Sequence, residues 1–360
     1  MGEMSKAGAV LTIDLGALAR NYQILKNQLG SGDLAAVVKA NAYGLGVKEA
    51  AQALKKAGCE SFFVATLEEG IELRGILPDA SIHIFHGVLP GTADDLVAHQ
   101  LIPILNSIDQ IEEWQGQAEH LAGLHIDTGM SRLGLTPAEC ESAGERLKEF
   151  NIKLVMSHLA CADEPANPKN QEQLALFNKL RSFISADQAS LAASSGVYLG
   201  PDFHFDLSRA GVSLYGVNPM PGRSNPMAQV VRLQAKILQV RSVDTPQTVG
   251  YGATHQAAKP AKIATLSIGY ADGYLRSLSN SATAYIGDDE VPVVGRVSMD
   301  LTTIDVTDIP DTNLATGTLV DLIGPNNPVD QVASQAGTIG YEILTRLGQR
   351  FERHYISDEA

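Results

Sequence analysis

The chain is poor in cysteine and in positive charge, and both deficits exclude classes of protein. Its 360 residues include only three cysteines, Cys59, Cys140 and Cys161. Their odd number and wide spacing fit neither a disulfide framework nor a zinc site, so we expect reduced thiols. Lysine and arginine number 27 against 41 aspartates and glutamates, which gives a formal net charge of −14. This charge argues against a general binder of nucleic acid or of anionic membranes.

Long apolar segments are also missing. Residues 1–8 precede no long apolar stretch, and no run elsewhere approaches the roughly 18 residues of a membrane span. The sequence therefore predicts a cytoplasmic protein that acts on a small molecule. A chain of this length exceeds the usual size of one hydrophobic core, so we expect one large and one smaller domain.

The first part of the chain alternates short apolar strands with amphipathic helix patterns, as βα units around a parallel sheet do. Asp14 can cap a helix in which Leu18, Tyr22, Leu25 and Leu29 recur at helical spacing. Candidate strands are residues 35–40, 61–65, 82–85, 102–105, 124–127, 153–158, 190–194 and 205–209. Eight such strands predict a closed (β/α)8 TIM-type barrel, which we assign to residues 10–221.

The residue pattern of the sequence changes after residue 222. The β-rich stretches there are separated by Gly, Pro, Asn and Asp turns, with little helix until the C-terminal segment. They are residues 229–243, 261–268, 283–286, 291–297, 301–306 and 318–323. The fold class predicted is thus α/β, a barrel followed by a mainly antiparallel β domain at residues 222–360. Residues 1–9 are a candidate to pair with that domain.

Lys39 ends an apolar run and opens the segment Lys39–Gly46, which contains a tyrosine and two glycines. Lysines are almost never buried without a partner. An amine partly removed from water loses some preference for its charged form and can form a Schiff base with an aldehyde such as pyridoxal phosphate. Alternatively, the side chain extends from a strand end into solvent. The strand pattern alone favours the second interpretation, and the rest of the chain favours the first.

Further polar residues lie at predicted strand ends, where barrel enzymes place their chemistry. They are Asp127 with Arg132, His158, Ser194–Gly196, and Arg209 with Gly211. Ser194 and the amides near Gly211 and Val212 can donate hydrogen bonds to a phosphate. Arg209, always protonated, would donate to a pyridine nitrogen and keep that nitrogen unprotonated. Each residue singly is more often structural, but their joint placement predicts a cofactor site.

Other motifs in the chain point elsewhere but are incomplete. Asp127-Thr128-Gly129 matches the aspartic-protease triplet, yet that mechanism needs two carboxylates sharing a proton, and no second triplet occurs. A homodimer could supply one, but a barrel strand is the wrong setting. The segment Gly44-Leu45-Gly46 lacks the third glycine of a dinucleotide fingerprint, and His83 and His86 have no further nearby ligands for a metal. We predict no metal site.

The ordered motifs of the chain resemble those of the alanine racemases, pyridoxal-phosphate enzymes with an N-terminal barrel and a C-terminal β domain. The match covers nearly the whole chain and includes residues 13–18, 38–44, 127–134, 208–211, 250–254, 268–273 and 295–300. The resemblance implies that Lys39 carries the cofactor and is the base on one face of the substrate. Tyr251 of a second subunit would be the base on the opposite face. Inversion needs a proton removed on one side and returned on the other, which two facing groups provide.

The same resemblance assigns the remaining site residues. Arg132 would hold the substrate carboxylate, Met299 would approach the substrate from the second subunit, and His158 would stabilise the Tyr251 phenolate. The phosphate contacts would be Tyr43, Ser194, Gly211, Val212 and Tyr341. Tyr270, Arg276 and Asp300 resemble residues of a substrate access channel, although an ordinary charged surface would look the same. A head-to-tail homodimer with shared active sites is implied.

The chain departs from the family pattern at His125. Many members have a carbamylated lysine seven residues before the substrate-binding arginine, whereas this chain has no lysine between Cys59 and Leu147. A carbamate at this position is therefore excluded. His125 itself, or a bound anion such as chloride, is then the candidate to orient Arg132.

The leading function is interconversion of L-alanine and D-alanine, which supplies D-alanine for peptidoglycan. Alternatives are a serine or broader-specificity racemase on the same fold and a non-catalytic pyridoxal-phosphate carrier. Carriers resemble a barrel alone, whereas this chain adds a β domain bearing Tyr251 and Met299. A related decarboxylase would carry a cysteine acid in its C-terminal domain, and Cys161 is the last cysteine here.

Overall fold

The computed structural model describes residues 6–30 and 32–357. The chain divides into two compact units, which we call the barrel unit (Leu18–Ala228) and the β unit (Met1–Ala17 with Gln229–Ala360). The helices are α1 (Leu15–Leu29), α2 (Lys39–Tyr43), α3 (Val47–Lys56), α4 (Leu67–Ile76), α5 (Ala93–Ala98), α6 (Ile108–Trp114), α7 (Pro137–Ala143), α8 (Lys169–Leu180), α9 (Val329–Ala336) and α10 (Gly340–Arg346). None of these helices is long and apolar enough to cross a membrane.

The strands of the barrel unit form one parallel sheet. They are β2 (Asp33–Val37), β3 (Ser61–Val64), β4 (Ser81–Ile84), β5 (Ile102–Leu105), β6 (Ala122–His125), β7 (Ile152–Met156), β8 (Gln188–Ser190) and β9 (Leu207–Ala210). Their order is β8-β7-β6-β5-β4-β3-β2-β9. A parallel bridge between Ala193 and Arg209 joins the two ends of this order, so the sheet closes on itself. The predicted (β/α)8 barrel is confirmed.

Local sequence signals explain several of the barrel helices. In α1 the Asp14 carboxylate accepts a hydrogen bond from Ala17 N at 2.8 Å, and Leu18, Tyr22, Leu25 and Leu29 are all buried. This helix matches its prediction. Thr66, Ser107 and Thr136 cap α4, α6 and α7 in the same way, with side-chain oxygens that accept main-chain N–H bonds.

One predicted strand ends earlier than expected. The sequence pattern extended β2 to Ala40, but the strand stops at Val37. The short element α2 that follows is a left-handed turn and not an ordinary helix, because φ from Ala40 to Tyr43 is 53°, 54°, 53° and 54°. The reason for the error is that alanine is no signal for this conformation, which glycine usually supplies.

The β unit is mainly antiparallel, as predicted. Its strands are β1 (Ala9–Asp14), β10 (Val231–Val243), β11 (Thr248–Val249), β12 (His255–Gln256), β13 (Ala261–Leu266), β14 (Thr283–Ile286), β15 (Asp289–Pro292), β16 (Thr302–Asp305), β17 (Leu319–Ile323) and β18 (Glu352–Ile356). The main sheet has the order β15-β14-β17-β10-β1-β18, with β13 joining β10 to β16. β1 runs antiparallel to β10 and parallel to β18. Of the predicted N-terminal pairing segment, residues 1–5 lie outside the described residues.

Candidate active site

Lys39 stands immediately before the left-handed turn that follows β2. Side-chain and main-chain hydrogen bonds hold this turn: Glu69 Oε1 accepts from Ala40 N at 2.6 Å, and Asn41 Oδ1 accepts from Val47 N at 2.7 Å. Gly44 N also donates to Ala40 O at 2.8 Å. Non-glycine residues in this conformation persist only when the surrounding structure fixes them, and such residues cluster at functional sites. The turn therefore sets the direction in which Lys39 leaves the barrel strand.

The Lys39 amine lies in a partly buried position without a carboxylate in ion-pair distance among the described residues. Its Nζ is 5.6 Å from the centroid of the Phe85 ring. Burial lowers the pKa of Lys39 below its usual value, the charge of Arg132 lowers it further, and Glu69 opposes this shift. A lysine with a lowered pKa is a nucleophile and a proton acceptor closer to neutral pH.

The electrostatics of His158 show which predicted residues the barrel brings together. Burial, above all, lowers the pKa of His158 to about 3, and the charges of Arg209, Arg132 and Lys39, with that of His125 when it is protonated, add to the shift. These residues come from the ends of different strands or from the loops that follow them. The cluster is electropositive, and His158 is neutral at physiological pH. Such a site attracts the phosphate of a cofactor and the carboxylate of a substrate.

The loop that carries Arg132 is shaped by Asp127. Asp127 Oδ1 accepts hydrogen bonds from Gly129 N at 2.8 Å, Met130 N at 2.9 Å and Ser131 N at 3.2 Å. Burial by itself raises the pKa of Asp127, but these hydrogen bonds outweigh it, and the pKa lies below its usual value. Arg132 itself is exposed. Asp127 therefore acts as the anchor of a turn that presents the Arg132 guanidinium at the strand ends.

His125 is buried at the end of β6 with a defined tautomer. Asn106 Nδ2 donates to Phe85 O at 2.9 Å and to Ile104 O at 2.7 Å, so its Oδ1 is the atom that faces His125 Nδ1 at 2.9 Å. Because an amide oxygen only accepts, Nδ1 carries the proton and Nε2 keeps its lone pair. Burial is the main reason why the pKa of His125 is lowered to about 4. His125 Nε2 is thus a neutral hydrogen-bond acceptor that can pair with a guanidinium.

Arg209 is buried inside the barrel, and none of the described residues supplies it with a carboxylate partner. Its Nη1 donates to Ser190 Oγ, and its Nη2 donates to Ser157 O at 2.6 Å and more weakly to Leu191 O at 3.4 Å. Burial lowers the pKa of Arg209 to about 9, so it stays protonated at neutral pH. A buried cation held by neutral oxygens is rigid, and its two remaining N–H groups, on Nε and Nη1, can donate only to an unprotonated acceptor. Our sequence reasoning missed Ser157 and Ser190, which no motif marks.

Ser194, Gly211 and Tyr43 meet at a second part of the site. Ser194 Oγ accepts from Gly211 N at 2.9 Å and from Ser213 N at 3.4 Å. A Cβ at Gly211 would lie 2.5 Å from Tyr43 Oη, so a larger residue here would force the tyrosine side chain to shift. The Ser213 hydroxyl is buried and has no hydrogen-bond partner among the described residues. Val212, also buried, lies between these donors in the chain. Hydroxyls and amides concentrated here fit a phosphate group.

The other predicted residues belong to the β unit. Tyr251, at the tip between β11 and β12, is 72% exposed, and Met299 is 54% exposed. No described residue accepts a hydrogen bond from Met299 N. Tyr341, in α10, and Tyr270 are each 41% exposed.

Two charged residues were assigned to the access channel together with Tyr270. Asp300 pairs with Arg350 at 2.8 Å, and this same guanidinium donates to Asp272. Arg276 opens a short 3-10 helix, Arg276–Leu278. The assignment of Tyr270, Arg276 and Asp300 to a substrate access channel stays a prediction.

The barrel residues fit pyridoxal phosphate. Lys39 offers an amine with a lowered pKa, Arg209 offers a donor for a ring nitrogen, and the Ser194 region offers the hydroxyls of Ser194 and Ser213, of which the buried Ser213 hydroxyl has no partner among the described residues. A phosphorylated aldehyde on an aromatic nitrogen ring needs these three kinds of group.

Comparisons with known proteins point to one family. Residues 13–219 match the family described as alanine racemase, N-terminal domain, and residues 230–355 match alanine racemase, C-terminal domain. An alanine racemase from Rhodospirillum rubrum is 50% identical over 99% of this chain and 98% of its own length. A catabolic alanine racemase from Mesorhizobium japonicum is 48% identical over 97% of this chain and 94% of its own length. The crystal structure of alanine racemase from Bartonella henselae, with covalently bound pyridoxal phosphate, is 40% identical. The structural match covers 97% of this chain and 100% of the Bartonella henselae chain, with a TM-score of 0.94.

Proposed function

We infer that this chain, which belongs to the alanine racemase family, is a pyridoxal-phosphate-dependent isomerase that interconverts L-alanine and D-alanine. The observation that carries the function is that a match to both family domains coincides with Lys39 in an electropositive cluster at the barrel strand ends. When bound, pyridoxal phosphate withdraws electrons from the α-carbon of the joined amino acid and so acidifies its Cα–H bond.

Residues mainly of the barrel unit, with Tyr341 and Met299 from β units, would hold the cofactor and the substrate. Lys39 would bind the cofactor covalently, and Arg209 would donate to its ring nitrogen. Tyr43, Ser194, Gly211, Val212 and Tyr341 would bind its phosphate. Arg132 would bind the alanine carboxylate in a charge-assisted hydrogen bond, with Met299 N as a further donor.

The two proton carriers would be Lys39 and Tyr251. Lys39, with its lowered pKa, takes or returns the Cα proton on one face. Tyr251 does so on the opposite face, with neutral His158 as a hydrogen-bond donor to its phenolate. Alanine enters in either configuration, because each base can act first.

We propose that Tyr251 and Met299 act in the site of a second copy of the chain. The support for this is that both residues lie in the segment that matches the family's C-terminal domain, residues 230–355, and that their side chains are 72% and 54% exposed and so accessible to a second chain. A head-to-tail homodimer would then contain two identical composite sites. Cytoplasmic synthesis of D-alanine for peptidoglycan is the role we propose for it, and dependence of growth on added D-alanine after loss of the gene would test that role.

Mixing two inactive variants tests the shared site. Lys39→Ala and Tyr251→Phe each remove one base from both sites of a homodimer. After the two are unfolded and refolded together, half of the mixed dimer's sites combine the intact Lys39 of one chain with the intact Tyr251 of the other. Roughly a quarter of wild-type activity should return at equal proportions. No recovery in a mixture shown to contain mixed dimers would place both bases in one chain.

A further inference from the structure

One buried side chain ties together the loops after β6 and β7. It is Gln173 of α8, which has no exposed surface. Its Nε2 donates to Thr128 Oγ1 at 3.1 Å and to His158 O at 2.9 Å, while its Oε1 accepts from Ala160 N at 2.8 Å. Both amide hydrogens and the amide oxygen are therefore used.

Thr128 extends this network into the barrel. Its Oγ1 lies 2.8 Å from Ser157 Oγ, and Ser157 O accepts from Arg209 Nη2 at 2.6 Å. The same threonine precedes the turn that leads to Arg132. Gln173 thus connects the Arg132 loop, the main chain of His158 and, through Ser157, the Arg209 guanidinium.

The same helix provides a matched comparison. Asn170 lies one turn before Gln173 and is 2% exposed. Its Nδ2 donates to Cys161 O at 3.1 Å and to Glu164 O at 3.0 Å. These bonds join α8 to the loop between β7 and α8 and do not reach the loop after β6. The two buried amides therefore stabilise the same loop, but only Gln173 joins it to the loop of Arg132.

We propose that Gln173 is a positioning residue, which fixes the main chain of His158 relative to the loop that carries Arg132. This inference rests on the proposed function, because it takes Arg132 and His158 as substrate-binding and hydrogen-bonding groups. Without Gln173, the Thr128 hydroxyl loses a buried partner, His158 O and Ala160 N lose part-buried ones, and the two loops can relax independently. A displacement of about 1 Å in a site of this kind costs up to about 100-fold in rate.

The first test compares Gln173→Met with Asn170→Leu. Cofactor occupancy, thermal midpoint, kcat and KM for L-alanine are measured for both and for the wild type. Gln173→Met should keep the cofactor and lower kcat/KM by about 10- to 100-fold, with much of the loss in KM. Asn170→Leu should lower the thermal midpoint but leave kcat/KM close to that of the wild type. Equal kcat/KM for the two variants would overturn the inference.

A second set of variants identifies the bond involved. Thr128→Val removes the Gln173–Thr128 hydrogen bond from its other end. It also tests the proposal if Gln173→Met does not fold. The double variant should lower kcat/KM little beyond the worse single variant, because the Gln173–Thr128 bond is broken by either change alone. Losses that multiply would show that the residues do not act through this bond.

A third variant separates positioning from simple stabilisation. In Gln173→Glu the introduced carboxyl still accepts from Ala160 N, but it can donate to Thr128 or His158 O only when protonated. The kcat/KM of this variant relative to wild type should therefore rise as pH falls, and a constant ratio would contradict the proposal. A wild type that fails to racemise alanine refutes the proposed function itself, whereas a racemising wild type with unaffected variants refutes only the role of Gln173.

Discussion

Replacing Ala40 by glycine should make the protein more stable, although the same replacement usually destabilises. Ala40 begins the left-handed turn after Lys39 with φ of 53°, and its side chain is exposed, so no packing is lost. A left-handed residue with a Cβ costs roughly 1–2 kcal/mol. Glycine removes that cost but loses about 0.5–1 kcal/mol more conformational entropy on folding. The net effect of Ala40→Gly is a gain of about 0–1.5 kcal/mol.

Ala175 supplies the matched control. It is also an exposed alanine of the barrel unit, but it lies inside the right-handed helix α8. Ala175→Gly should lower the free energy of unfolding by about 1 kcal/mol. Ala40→Val, which puts a branched side chain at the left-handed position, should lower it by about 1–3 kcal/mol.

The assay is guanidinium-induced unfolding in excess pyridoxal phosphate, followed by circular dichroism for all three variants. Stabilities should rank Ala40→Gly at or above the wild type, then Ala175→Gly and Ala40→Val below it. If Ala40→Gly destabilises as much as Ala175→Gly, the turn stores no strain and does not explain how Lys39 is directed.

Further predictions concern the chemistry of the site. Tyr251→Phe should keep cofactor and fold but lose most racemisation, because one face lacks its proton carrier; a wild-type rate would contradict the two-base assignment. His125→Ala should raise KM for alanine through the loss of an acceptor for Arg132, and unchanged kinetics would refute this role. In cofactor-free protein the rate of Lys39 modification by an amine reagent should rise with pH through a midpoint below the ordinary value of about 10.4, because the lowered pKa makes the neutral amine form earlier. Arg132→Ala should move that midpoint up, and a midpoint unchanged by Arg132→Ala would show that this charge does not act on Lys39.

The architecture could be predicted because it rests on periodic patterns. Each barrel strand has its own apolar run, and these runs located all eight strands to within a few residues. The helix after Asp14 was equally clear, since its apolar spacing and its cap agree. Patterns of this kind predict structure well because they reflect which residues are buried, and burial decides where strands and helices form.

The site itself was less predictable. Its left-handed turn is formed by Ala40–Tyr43, whose residue types carry no signal for positive φ. Ser157, Ser190 and Gln173 hold the site through hydrogen bonds between distant segments, and such contacts have no local sequence pattern. Tyr251 would have passed as a turn-flanking aromatic without the family resemblance. Tertiary hydrogen bonds thus decide what local sequence cannot.

The measurement that tests the central claim most directly is incubation of the purified, pyridoxal-phosphate-loaded protein with L-alanine in D2O, followed by chiral separation and mass analysis. The account predicts rapid formation of D-alanine that carries deuterium at Cα, with alanine preferred over serine and larger amino acids. Bound cofactor with neither inversion nor label at Cα would contradict it and would indicate a carrier.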